Sequence, residues 1–133
     1  MLEEVTLPEE EIVNITFLKR DEFHTVTFKS KEYTVVGGDD VDNLIGVDSH
    51  GKVWFLDTEN EFTFYASKNL KAFVDQLMLY VKWDHPDDDA PWKVIKANVK
   101  KFKCEILKLD MLATFGRNSF WSLIIEQIKE GFL

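Results

Sequence analysis

The sequence predicts an α+β domain: a mainly antiparallel sheet from the N-terminal half packed against helices from the C-terminal half. Up to about residue 66 apolar residues recur at every second position, and beyond it they recur at helical spacing. The β-like runs are separated by turns too short to hold crossover helices, so neighbouring strands pair antiparallel. With 133 residues the chain reads as a single domain over 1–133. A chain of that length buries roughly 65–70% of its unfolded surface and needs no disulfide or metal staple.

The elements follow in order. Val13, Ile15 and Phe17 alternate with Asn14 and Thr16, then His24, Val26 and Phe28 with Thr25, Thr27 and Lys29, then Tyr33 and Val35 with Glu32 and Thr34. Each run predicts a strand with one buried face, made of residue types that fit a pleated surface. Gly37-Gly38-Asp39-Asp40 predicts a turn in which glycine supplies positive φ. Asp48-Ser49-His50-Gly51, between the apolar runs 44–47 and 53–56, predicts a hairpin with glycine near the left-handed position. Phe62 and Phe64 alternate with Thr63 and Tyr65 and extend the sheet to Ala66.

Ser67 is the expected cap of a first helix over 68–83, with Leu70, Phe73, Val74, Leu77, Tyr80 and Val81 as its apolar stripe. The segment DHPDDDAP, with two prolines and four aspartates, ends it. Trp92, Ile95, Val99, Phe102, Ile106 and Leu109 then recur at spacings of 3, 4, 3, 4 and 3, a second amphipathic helix whose polar face carries Lys93, Lys96, Lys100 and Lys103. A third helix begins near Asn118-Ser119 and carries Phe120, Trp121, Ile124, Ile125 and Ile128, with Gly131 placed to close it.

Net charge is −8 and unevenly spread: residues 1–89 carry 20 acids against 8 bases, while residues 90–133 carry 4 against 8. An acidic front repels nucleic acid and anionic membrane and attracts a basic partner. The single cysteine, Cys104, cannot form an internal disulfide, which favours a reducing compartment. The opening MLEEVTLPEEE lacks the basic and apolar regions of a secretory signal, and no stretch reaches the roughly 20 apolar residues of a membrane span, so the expected location is cytoplasmic.

No catalytic constellation stands out. His24, His50 and His85 lie far apart, and no HExxH, GxSxG, CxxC or P-loop spacing occurs. His24 alternates onto an apolar strand face and is expected to be core or semi-buried, His50 to be solvated in its turn, and His85 to sit in a solvated acidic loop. Asp39, Asp40, Asp42 and Asp48 crowd one stretch, but a calcium loop starting at Asp40 would have Ile45 where Gly is required and Gly51 where Glu is required. Asp84, Asp87, Asp88 and Asp89 are read as favouring the positive end of the following helix. Gly37-Gly38 opens no helix and so is a poor phosphate cradle. The lysine face lacks the interleaved exposed aromatics of a nucleic-acid interface. No cofactor, metal, nucleic-acid or membrane partner is expected, and the oligomeric state is open.

Three segments together suggest a family: YTVVGGDDVDNLIGVDSHGKVWFLD (33–57), FYASKNLKAFVDQLMLY (64–80) and ILKLDMLATFGRNSFWSLIIEQIKEGFL (106–133), the last with Asp110, Ala113, Phe120-Trp121 and Gly131 in the expected places. With TLPEEE (6–11), the ensemble resembles the SUKH superfamily, most closely its fourth subgroup of bacterial immunity proteins. The resemblance implies an α+β sheet backed by helices and a non-enzymatic role. Such a protein binds and neutralises a cognate polymorphic toxin, of the nuclease or deaminase type, by occluding its active site. The acidic front suits a basic cleft, and charge density alone places the contact surface at Asp39, Asp40 and Asp42 with Asp57, Glu59 and Glu61, together with an aromatic anchor such as Tyr65 or Trp54. A regulatory or scaffolding domain of the same fold is the alternative; a carboxylate-dependent hydrolase or metal enzyme would need two acids converging in a pocket.

Overall fold

A computed structural model describes residues 5–83, 85–87, 89–114 and 119–130. Along the chain run β1 (Thr16–Phe17), a one-turn 3-10 helix (Arg20–Glu22), β2 (His24–Phe28), β3 (Lys31–Gly38), β4 (Leu44–Val47), β5 (Val53–Asp57), β6 (Phe62–Ser67), α1 (Leu70–Lys82), α2 (Trp92–Leu109) and α3 (Phe120–Lys129). All strand pairs are antiparallel, in the order β1-β3-β4-β5-β6, with β2 also on β3. Because β4 pairs Thr34 to Gly38 along one side of β3, β1 (on Gly37 and Gly38) and β2 (on residues 31 to 35) share the opposite side. They form one interrupted edge strand.

The expected α+β architecture is present, but three local expectations are corrected. The alternation through Val13, Ile15 and Phe17 is not one strand. Val13 and Asn14 have φ of 52° and 65°, a two-residue turn locked by reciprocal Ile12–Ile15 backbone bonds of 3.0 and 2.9 Å. A left-handed backbone cannot continue a strand, and the turn instead buries Ile12 and Ile15. Gly37-Gly38 does not supply the turn either: both glycines lie inside β3, where a Cβ would meet Thr16 O at 2.6 Å and Asn43 O at 2.5 Å. The turn falls one step later, with Asp42 at φ 70°. Finally, Ser67 ends β6 rather than capping α1; Asn69 is the cap, its Oδ1 accepting from Ala72 N–H at 2.8 Å. Ser119 caps α3 as expected, while Asn118 and Gly131 lie outside the described residues.

One face of the sheet supplies Val36, Ile45, Val47, Val53 and Ala66 to the core. Helices α1 and α3 pack on β6, and α2 packs on α1 and α3, forming an outer layer. Phe73 lies at the junction, with its ring 6.1 Å from Phe17, 5.5 Å from Phe120 and 6.5 Å from Trp121. The fully buried Trp121 donates its indole N–H to Gln76 Oε1 at 2.8 Å, so a deep polar contact joins α3 to α1.

The opposite face is also partly closed. Tyr33, Val35 and Leu56 are buried outside the helix-facing cluster. Residues paired across antiparallel strands share a face, so Val26, Tyr33, Gly46, Trp54 and Tyr65 lie with them. Lys29 at the tip of the β2–β3 hairpin sits 6.0 Å above the Phe62 ring of β6, which brings the two borders of the sheet together. Gly46 is a point of close packing on this face: an added Cβ would stand 2.9 Å from Tyr33 Cβ and 3.0 Å from Leu56 Cδ1. Gly46→Ala is therefore expected to lower unfolding free energy by about 1–3 kcal/mol, the usual cost of overpacking. Urea denaturation checks this; an unchanged midpoint would mean that Tyr33 and Leu56 yield freely.

Candidate functional site

Two turns at one end of the sheet carry the six acids singled out in the sequence. In the β3–β4 turn, Asp39 Oδ1 accepts from the N–H groups of Val41 and Asn43 at 3.0 and 2.9 Å, and Oδ2 from Asn43 Nδ2 at 3.1 Å. In the β5–β6 turn, Asp57 treats Asn60 the same way, at 3.1 Å to its N–H and 3.0 Å to its Nδ2. Thr58 stitches the turns together: its N–H donates to Asn43 Oδ1 and its hydroxyl to Asp42 O, both at 3.3 Å. Residues far apart in sequence thus share one surface.

The six acids divide by role. Asp39 and Asp57 have both carboxylate oxygens committed to backbone and amide donors, and they build the turns. Hydrogen bonds from Asn60 hold the Asp57 carboxyl below the usual carboxylate range. Asp40, Asp42, Glu59 and Glu61 are exposed, and among the described residues no ion pair neutralises them. Beside them stand two exposed apolar side chains, Val41 at 67% and Phe62 at 57% exposure. Lys29, above Phe62, is the cation nearest that ring.

Neither aromatic side chain suggested as an anchor is free. The Tyr65 hydroxyl donates to Asp110 Oδ2, the Trp54 indole donates to Asp48 Oδ2 at 3.0 Å, and the two half-buried rings meet edge to face at 5.6 Å. Burial, and then the Asp110 carboxylate, push the Tyr65 phenol well above its ordinary value. This pair ties β5 and β6 to the C-cap of α2. Phe62 was hidden in the sequence because its alternation with Phe64 predicts burial; only its place at the sheet's end, after Glu61 at φ 58°, leaves it uncovered.

The remaining candidates stay apart. Asp48 sits at the other end of β4, its Oδ1 accepting from the N–H groups of His50 and Lys52, so it does not join the Asp39–Asp42 group. His24 is exposed rather than semi-buried, its Nδ1–H donating to Glu22 O at 3.1 Å. His50 is exposed in its turn. His85 caps the end of α1 by donating Nε2–H to Tyr80 O, and its ring lies 4.3 Å from that of Trp83, tilted by 51°. Asp87 and Asp89 are exposed, while Asp84 and Asp88 lie outside the described residues. Among the described residues no group of three or more His, Cys, Asp or Glu is placed to hold a metal ion, and no helix is long and apolar enough to cross a membrane. Lys93, Lys96, Lys100 and Lys103 are exposed on α2, as is Cys104.

The arrangement has the form of a recognition surface: fixed turns, uncompensated negative charge and two apolar side chains. Against known proteins, the chain matches no protein-family model, no curated protein and no solved structure.

Because the folded Asp57 carboxyl titrates below its unfolded value, its contribution to stability is complete above about pH 4 and is lost as pH falls through the folded value. The stability gap between the native protein and Asp57→Ala is therefore expected to be constant from neutral pH down to about 5. Below about pH 4 it should narrow steadily in urea denaturation; a gap that widens on acidification would contradict the assignment.

Proposed function

We propose that this chain is a non-catalytic binding domain that holds a basic protein partner against the acidic end of its sheet. The observation that carries the reading is the convergence of four unneutralised carboxylates, Asp40, Asp42, Glu59 and Glu61, around exposed Val41 and Phe62 on two cross-linked turns. Exposed carboxylates raise the encounter rate with a basic surface, while residence time depends on apolar contact. Turns already ordered by Asp39 and Asp57 lose little entropy on binding.

The partner we propose is a toxin whose basic active-site cleft the acidic end would fill, as the resemblance to SUKH immunity proteins implies. Carboxylates would stand where phosphates of a nucleic-acid substrate otherwise lie. The test begins with affinity capture from the native cell at low and high salt. A single stoichiometric basic toxin domain whose capture weakens with salt supports the reading; capture of a housekeeping complex instead favours the scaffolding alternative.

The surface is tested on the captured partner. A variant carrying Asp40→Asn, Asp42→Asn, Glu59→Gln and Glu61→Gln keeps the turn-building aspartates. Its association rate is expected to fall about 10- to 100-fold at low salt and to lose most of its salt dependence. Phe62→Ala should act chiefly on dissociation, at a cost of about 1–3 kcal/mol. Surface plasmon resonance reads both, and unchanged association in the charge variant would rule out this end of the sheet.

A further inference from the structure

The two borders of the sheet are treated differently. The outer side of β6 is met by the backbone at Ser119, which bridges to Tyr65 in parallel. Among the described residues strand β2 is bonded to β3 alone, and its five residues, HTVTF, are exposed or half-buried. It also lacks the usual protections of an open edge, having no proline, no bulge and no Lys, Arg, Asp or Glu.

We infer that β2 is a self-association edge, on which a second copy of this chain pairs antiparallel about a twofold axis at Val26. The ladder geometry sets the register. The β2–β3 hairpin closes through a two-residue turn, Lys29-Ser30, with φ of 52° and 68° and Phe28 opposite Lys31. The pair flanking such a turn exchanges both backbone bonds, and bonded and non-bonded pairs alternate from there. Phe28, Val26 and His24 therefore spend their backbone groups on β3, whereas the N–H and C=O groups of Thr25 and Thr27 point outward. A twofold axis at Val26 places each Thr25 opposite Thr27 of the second copy, so those outward groups satisfy one another in two reciprocal pairs.

Side chains and charges agree with this register. Thr25-Val26-Thr27 reads the same in both directions, so the threonines face threonines and Val26 faces Val26. Exposed Lys29 and Lys31 follow β2, while the exposed run Lys19-Arg20-Asp21-Glu22 before it carries no net charge. Antiparallel pairing sets the lysine end of one copy against this charge-balanced segment of the other, whereas a parallel arrangement would set Lys29 and Lys31 of both copies together. One short strand buries less than a standard interface of roughly 1,200–2,000 Å², so the dimer is weak, with a Kd on the order of 10 μM. This surface shares Lys29 with the partner-binding reading above, while the strand contacts at Thr25, Val26 and Thr27 lie outside it.

Sedimentation velocity across a concentration series tests the inference. The native chain is expected to pass from monomer to dimer through the micromolar range. Thr25→Lys with Thr27→Lys sets lysine against lysine in this register and should give a monomer, with an unchanged circular dichroism spectrum confirming the fold. Thr25→Glu with Thr27→Lys sets glutamate against lysine of the second copy and should dimerise again. A native chain that stays monomeric to about 500 μM, some fifty-fold above that Kd, would overturn the inference. So would a lysine double variant that remains folded and dimeric, or a Glu–Lys variant that remains monomeric.

Discussion

Phe73 and Trp121 hold the parts of this molecule in one relation. The Phe73 ring leans on Phe17 from the sheet's edge and on Phe120 and Trp121 from α3, and Trp121 reaches Phe102 of α2 at 6.0 Å. Aromatic packing of this kind buries much area but tolerates sliding. The Gln76–Trp121 hydrogen bond tolerates far less, because a buried indole N–H without its acceptor is costly. Area supplies the cohesion, and one polar contact selects the register of α3 on α1.

That helical layer leaves the far side of the sheet to manage its own burial. Tyr33, Val35 and Leu56 are buried there, with Gly46 as the gap that admits the Tyr33 side chain. Trp54 and Tyr65 flank this second cluster, and their polar atoms reach Asp48 and Asp110. Aromatic side chains that look like binding anchors in the sequence are thus recruited to closing the fold. Phe62 and Val41, at the end where strands run out, remain exposed.

The acidic turns show a division of labour among like residues. Asp39, Asp48 and Asp57 each fold their carboxylate back onto following N–H groups, the local bonding that makes aspartate a turn former. Asp40, Asp42, Glu59 and Glu61 gain no such bond and keep their charge outward. The proposed recognition surface is built from the second group and held rigid by the first.

The sequence by itself determined the fold class, the 44–47/53–56 hairpin, whose Gly51 has φ 83°, the span of α2 and the start of α3 near Ser119. These follow from period, turn chemistry and caps acting over a few residues. Only the tertiary structure decided that Val13-Asn14 is a turn, that Gly37-Gly38 are needed for close backbone approach, and that Asn69 replaces Ser67 as a cap. It decided as well which acids are spent and which are free, and that Phe62 is exposed while Trp54 and Tyr65 are engaged. Alternation states that a side chain has a face, but what covers that face depends on residues distant in the chain, and so does the answer.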